Sequence, residues 1–123
     1  MKNRNYDSTE SSRLIEEFID VLVKQEKVAA EDKIALYNRY FAIKNAIVNE
    51  LKSRPGDERR LLVPLLTHNS YAVRYFAAVA TLTIAPQEAI QTLEVLAYSL
   101  QYPYGYNAIS TLNSLKSGVF VPS

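Results

Sequence analysis

The chain has no cysteine and no tryptophan, and only three glycines, one histidine and one methionine in 123 residues. Without cysteine there is no disulfide, no thiolate nucleophile and no sulfur-based zinc site. With His68 as the sole imidazole, a transition-metal centre would have to be built from carboxylates almost alone, a poor donor set for zinc or iron. The glycines form neither a G-x-x-x-x-G-K-[ST] nor a G-x-G-x-x-G loop, and no serine lies in a G-x-S-x-G turn, so the common nucleotide and hydrolase chemistries lack their signatures. Residues 95–115 carry no formal charge, but Pro103, Gly105 and many Ser, Asn, Gln and Thr residues interrupt them, which excludes a membrane span. The opening "MKNRNYDSTESS" has no apolar stretch of the signal-peptide kind. Residues 1–10 read as a disordered leader, and the cytoplasm is the expected location. No cofactor, metal or membrane partner is expected.

What remains is an ordinary globular composition, with 48% hydrophobic and 22% charged residues. A chain of this length buries roughly two thirds of its unfolded surface without a staple. Net charge is only +1, too little for a global field that would hold nucleic acid. The charges are unevenly placed: residues 1–62 hold 12 of the 14 Lys and Arg and 11 of the 13 Asp and Glu. The second half keeps Arg74, Glu88, Glu94 and Lys116, so it is either buried or faces something.

Apolar residues recur at helical spacing and strand-like alternation is scarce, which predicts an all-α protein. A first helix is expected from Ser11 or Ser12 to about Lys27, with Leu14, Ile15, Phe18, Ile19, Leu22 and Val23 facing inward. A second runs from about Asp32 to Ser53 and ends at "SRPG". Its apolar arc, including Leu36, Tyr37, Tyr40, Phe41, Ile43, Ile47, Val48 and Leu51, is wide enough to pack on two sides. A third begins near Asp57 and is bent by Pro64. The fourth spans about Ser70 to Ala85, and Pro86 opens a fifth with Ile90, Leu93, Leu96, Ala97 and Leu100 inward. After the turn "QYPYGY", a sixth carries Ala108, Ile109, Leu112 and Leu115 and stops at Gly118. Short connections group six helices as three antiparallel pairs in one domain, residues 11–118, with a tail at 119–123.

"LVPLLTHNSYAVRYFAAVATL", residues 62–82, resembles the bacterial HEAT-like repeat: a leucine-rich helix with an internal proline, a polar turn, then Val-Arg-x-x-Ala-Ala. Val73, Arg74, Ala77 and Ala78 fall on that pattern, whereas the usual turn aspartate is replaced by Asn69 and Ser70. With Gly105, Asn107 and Ala108 in the last helix, the whole is also similar to a family of small bacterial proteins of unknown function. The resemblance implies an α-α superhelix of about six helices in three HEAT-like pairs. A fold of this kind does not itself define a function.

Arg74 reads first as a repeat-locking residue that satisfies turn carbonyls or a carboxylate, and second as a contact for an acidic partner. His68 has no carboxylate near it in sequence to orient it, so it is a poor general base. Glu16, Glu17 and Asp20 look like a solvated face. Lys44 falls within the apolar arc of the second helix, its stem packed and its ammonium reaching out, or else paired with Glu16 or Glu17. Nine tyrosines are present, and Tyr98, Tyr102, Tyr104 and Tyr106 gather around one loop. Tyrosine and arginine are the usual hot-spot residues of interfaces. A contact strip is therefore expected from Tyr71, Arg74, Ala78 and Thr81, beside Asn107, Ser110, Thr111 and Ser114, and from Tyr102, Tyr104 and Tyr106. These readings lead to a non-enzymatic module that binds another protein, one form of which is an immunity or inhibitor protein covering a toxin's active site. The alternative is a nucleic-acid-binding accessory that uses first-half cations such as Arg54, Arg59 and Arg60.

Overall fold

The computed structural model describes residues 6–29 and 31–123. They form α1 (Ser11–Ala29), α2 (Ile34–Ser53), a 3-10 helix (Glu58–Thr67), α3 (Tyr71–Ala80), α4 (Pro86–Ser99) and α5 (Tyr104–Ser117). No strand occurs among the described residues, so the all-α expectation holds. The chain divides into two compact units, Met1–Leu61 and Leu62–Ser123.

In the first unit α1 packs against α2. Leu14, Phe18, Val21, Leu22, Gln25 and Val28 are the buried face of α1, spaced three and four apart as one helical seam requires. Ile15 and Ile19 are only half-buried and Val23 is exposed, because the seam turns toward Val21 and Gln25 rather than covering the broader arc. α2 buries Ile43, Lys44, Ile47 and Leu51, whereas Ile34 and Phe41 are exposed, so its apolar arc is covered more narrowly than its width suggests. α2 begins two residues later than expected because Asp32 takes a left-handed φ of 54°, which a helix cannot include.

Residues 6–10, expected to be part of a disordered leader, are instead fastened to this unit. Tyr6 is buried and its hydroxyl donates to Glu17 Oε2 at 2.9 Å. Arg54, just past the end of α2, holds the segment: Nη2 donates to the carbonyls of Tyr6 at 2.9 Å and Thr9 at 2.6 Å, and Nη1 to Ser11 Oγ at 3.0 Å. Its Nε donates to Glu50 Oε2 at 2.8 Å. Ser11 Oγ in turn donates to Glu58 Oε1. The expected leader residues 1–5 lie outside the described residues. Arg59 is buried and forms a two-pronged pair with Asp57, Nε to Oδ1 at 2.9 Å and Nη2 to Oδ2 at 2.7 Å. That fork holds the Asp57 carboxyl below its usual range.

Lys44 is buried on α2. Its ammonium donates to Asn45 Oδ1 at 2.6 Å and lies 4.2 Å from the Phe41 ring centroid. Burial lowers its pKa to about 8, since desolvation disfavours the charged form.

In the second unit α3 packs against α4 and α5, and α4 against α5. The segment around Pro64 is a 3-10 helix rather than a bent α-helix, as suits a residue that cannot donate to the ladder. α3 is capped by Ser70, whose Oγ accepts from Val73 N, and ends at Ala80, five residues before the expected stop. Thr81 ends it: its hydroxyl donates to Ala77 O at 2.8 Å, and Pro86 keeps the following residues from resuming the helix. Ala72, Val73, Phe76, Ala77 and Ala78 are buried. α4 stops at Leu100 with a left-handed φ of 54°, which turns Leu100 outward instead of inward, and Ile90 is likewise exposed. α5 starts inside the expected turn, at Tyr104. A Cβ on Gly105 would lie 2.9 Å from Leu96 O and 3.0 Å from Leu100 C, so only glycine lets this first turn approach the end of α4.

Three outcomes follow for stability. Arg54→Ala should lower the unfolding free energy by about 2–3 kcal/mol in urea titrations, and Arg54→Lys should recover only part of it, because a point cation cannot span all four acceptors. Gly105→Ala should cost about 1–3 kcal/mol, since backbone has to move. For Lys44, the unfolded chain keeps its proton to pH 10.5 while the folded chain releases it near 8. Between those values the unfolded state binds more protons, so stability rises with pH, by at most about 3 kcal/mol. Urea denaturation across that window should show the rise in the wild type and its loss in Lys44→Met.

Candidate functional site

The residues singled out by sequence lie in different environments. Thr81 and Tyr104 are buried, 0% and 1% exposed, and take no part in a surface. Thr81 is the cap that ends α3. Tyr104 faces inward with Ala108, one turn along α5, and its ring lies 6.1 Å from Phe76 at 76° and 6.2 Å from Tyr75. Ala78 is buried as well, so the expected α3 strip does not exist as one face. Its place is taken by Tyr75, which sequence did not single out: the hydroxyl shares a 2.7 Å hydrogen bond with Thr111 Oγ1. Burial raises its pKa, and the residue ties α3 to α5.

Tyr102 and Tyr106 are exposed, with ring centroids 6.3 Å apart, and Asn107 beside them is half-buried. They belong to a larger surface at the corner between α4 and α5. Tyr98 is 83% exposed, Tyr102 77%, Tyr106 51%, and Val95 and Leu100 lie open with them. Phase explains part of the division: Tyr104 and Ala108, four apart, share the inward face of α5, while Tyr106 between them falls on the opposite side, and Leu100 is thrown out by its left-handed φ. A recess of about 540 Å³ lined by Gln91, Glu94, Val95, Tyr98 and Ser99 runs along α4 into this corner.

A second recess, about 600 Å³, is lined by Val63, Leu66, Thr67, Arg74, Glu88, Gln91, Thr92 and Val95. Gln91 and Val95 border both. Arg74 and Tyr71 meet here, the guanidinium carbon 4.9 Å from the Tyr71 ring centroid. The expected contact of Arg74 with turn carbonyls or a carboxylate is not formed among the described residues, and its buried Nε has no acceptor. The turn is closed without it: His68 Nδ1 accepts from Ser70 N at 3.0 Å, which places the imidazole proton on Nε2.

The first unit carries a recess of about 820 Å³, bordered by Arg13, Glu16, Glu17, Asp20, Lys24, Arg39 and Tyr40 among others. Its charges are of both signs and partly paired, Lys24 with Asp20 at 2.9 Å. No group of three or more His, Asp or Glu residues suited to a metal ion occurs among the described residues. No described helix is long and apolar enough to cross a membrane.

The arrangement is shared. The crystal structure of protein RPA1889 from Rhodopseudomonas palustris CGA009 is similar to this chain, with a TM-score of 0.95 and 31% identity over 98% of this chain and 100% of that one. No curated protein matches the chain. Residues 12–116, which run from the first turn of α1 to the last turn of α5, match the model of a domain of unknown function, DUF2019. The chain therefore belongs to the DUF2019 family.

Proposed function

We propose that this chain is a non-enzymatic protein-binding module that grips its partner with the outer face of α4 and the corner between α4 and α5. One observation carries the reading: Val95, Tyr98 and Leu100 along the end of α4 and Tyr102 and Tyr106 around the start of α5 are all exposed, in the half of the chain that keeps only four charged residues. Exposed tyrosines on rigid elements are the usual anchors of protein interfaces, and depletion of charge is what sets an interface core apart from ordinary surface. Leu100 adds to this. A leucine in the left-handed region costs roughly 1–2 kcal/mol that glycine or asparagine would avoid, and strain held at an exposed apolar residue is characteristic of contact sites. Inhibition of a toxin by covering its active site is one form such binding takes.

In the HEAT-like reading of the stack, Ala77 and Ala78, both buried, are the small residues that let α3 lie between its neighbours. The nucleic-acid alternative has less to work with, because Arg54 and Arg59 are engaged inside the first unit by Glu50 and Asp57, leaving Arg60 as the exposed arginine of that cluster.

Affinity capture from the native lysate tests the module. The wild type should recover a defined protein that a Tyr98→Ser, Tyr102→Ser, Tyr106→Ser variant of unchanged helicity loses, each anchor being worth about 1–2 kcal/mol or more. Recovery of the same proteins by both would sink the proposed surface.

A further inference from the structure

We propose that the Arg74 recess receives a carboxylate side chain of the bound partner, an aspartate or glutamate with an apolar residue next to it. The proposal rests on the protein-binding reading above and names the chemistry of what is bound.

Arg74 is the one arginine between Leu62 and Ser123, where Lys116 is the one lysine. Its guanidinium carbon lies 4.9 Å from the Tyr71 ring centroid, yet among the described residues nothing accepts a hydrogen bond from that group, and Nε is both buried and without an acceptor. Buried donors in folded proteins are almost always satisfied, so an arginine that lines an open recess with a donor still unanswered is a place where a partner can supply the missing acceptor. The planar guanidinium fork matches the two oxygens of a carboxylate.

The rest of the lining decides between anions. Glu88 borders the same recess without pairing to Arg74; it sits in the first turn of α4. A carboxylate bears one negative charge against that neighbour, whereas a phosphate bears nearly two and meets stronger repulsion. Val63, Leu66 and Val95 supply apolar wall for the adjacent side chain. Because Gln91 and Val95 also border the recess beside Tyr98, a peptide anchored at Arg74 continues onto the tyrosine surface.

A random peptide library selected in parallel on the full wild-type chain, Arg74→Gln and Arg74→Lys, each checked for helicity, tests this. The wild type should enrich peptides with Asp or Glu beside Leu, Val, Ile or Phe. In titrations of one such synthetic peptide, Glu→Gln in the peptide and Arg74→Gln in the protein should each weaken binding about ten-fold or more, and together no further than either alone. Arg74→Lys should fall between. Enrichment without acidic residues, or equal enrichment on Arg74→Gln, overturns the carboxylate proposal and leaves the protein-binding reading standing. Displacement of the peptide by inorganic phosphate at lower concentration than by acetate also overturns it. If no peptide enriches on the wild type, the proposal fails, and the capture experiment then decides separately whether the module binds protein at all.

Discussion

The first turn of α5 lies against the carbonyl end of α4 at a separation that only a residue without Cβ permits, and the character of the second unit follows from that approach. With Gly105 seated over Leu96 and Leu100, Tyr104 is drawn into the interior, where it meets Tyr75 and Phe76. Its neighbours Tyr102 and Tyr106 are left outside. One close contact thus divides a cluster of like residues into a packing member and a displayed pair. The outward leucine at position 100 is part of the same arrangement, since the left-handed cap ends α4 in time for α5 to begin.

The first unit is organised by a different interaction. A helix end leaves carbonyls and N–H groups that must find partners, and the preceding polar segment has carbonyls of its own. Arg54 meets both needs with one planar cation that faces Glu50, Ser11 and the carbonyls of Tyr6 and Thr9. This one charge therefore serves to hold the unit together. Arg59 does likewise through Asp57, and even Lys44 is buried at the expense of its usual basicity.

Against that background Arg74 differs in kind. The buried or half-buried arginines of the first unit point their donors at acceptors of the same unit; Arg74 stacks on a ring and leaves its buried Nε unanswered. The contrast sets the recess along α4 apart chemically from the apolar corner beside it.

The helical class and the approximate extent of most helices were legible from periodicity and turn signals, because each depends on residues within a few turns of one another. The candidate surface was legible as a tyrosine-rich, weakly charged half and not as a set of residues. Spacing could not tell Tyr104 from Tyr102 or Tyr106, because their fates depend on where α5 starts, and that depends on a contact with α4. Nor could it show that Thr81 turns back on its own helix, or that Tyr75 reaches Thr111 on another. Local chemistry wrote the elements; which side chain of each faced inward, and whether an arginine found its acceptor, was decided by tertiary packing, since exposure and hydrogen-bond partnership belong to pairs of elements and not to any one of them.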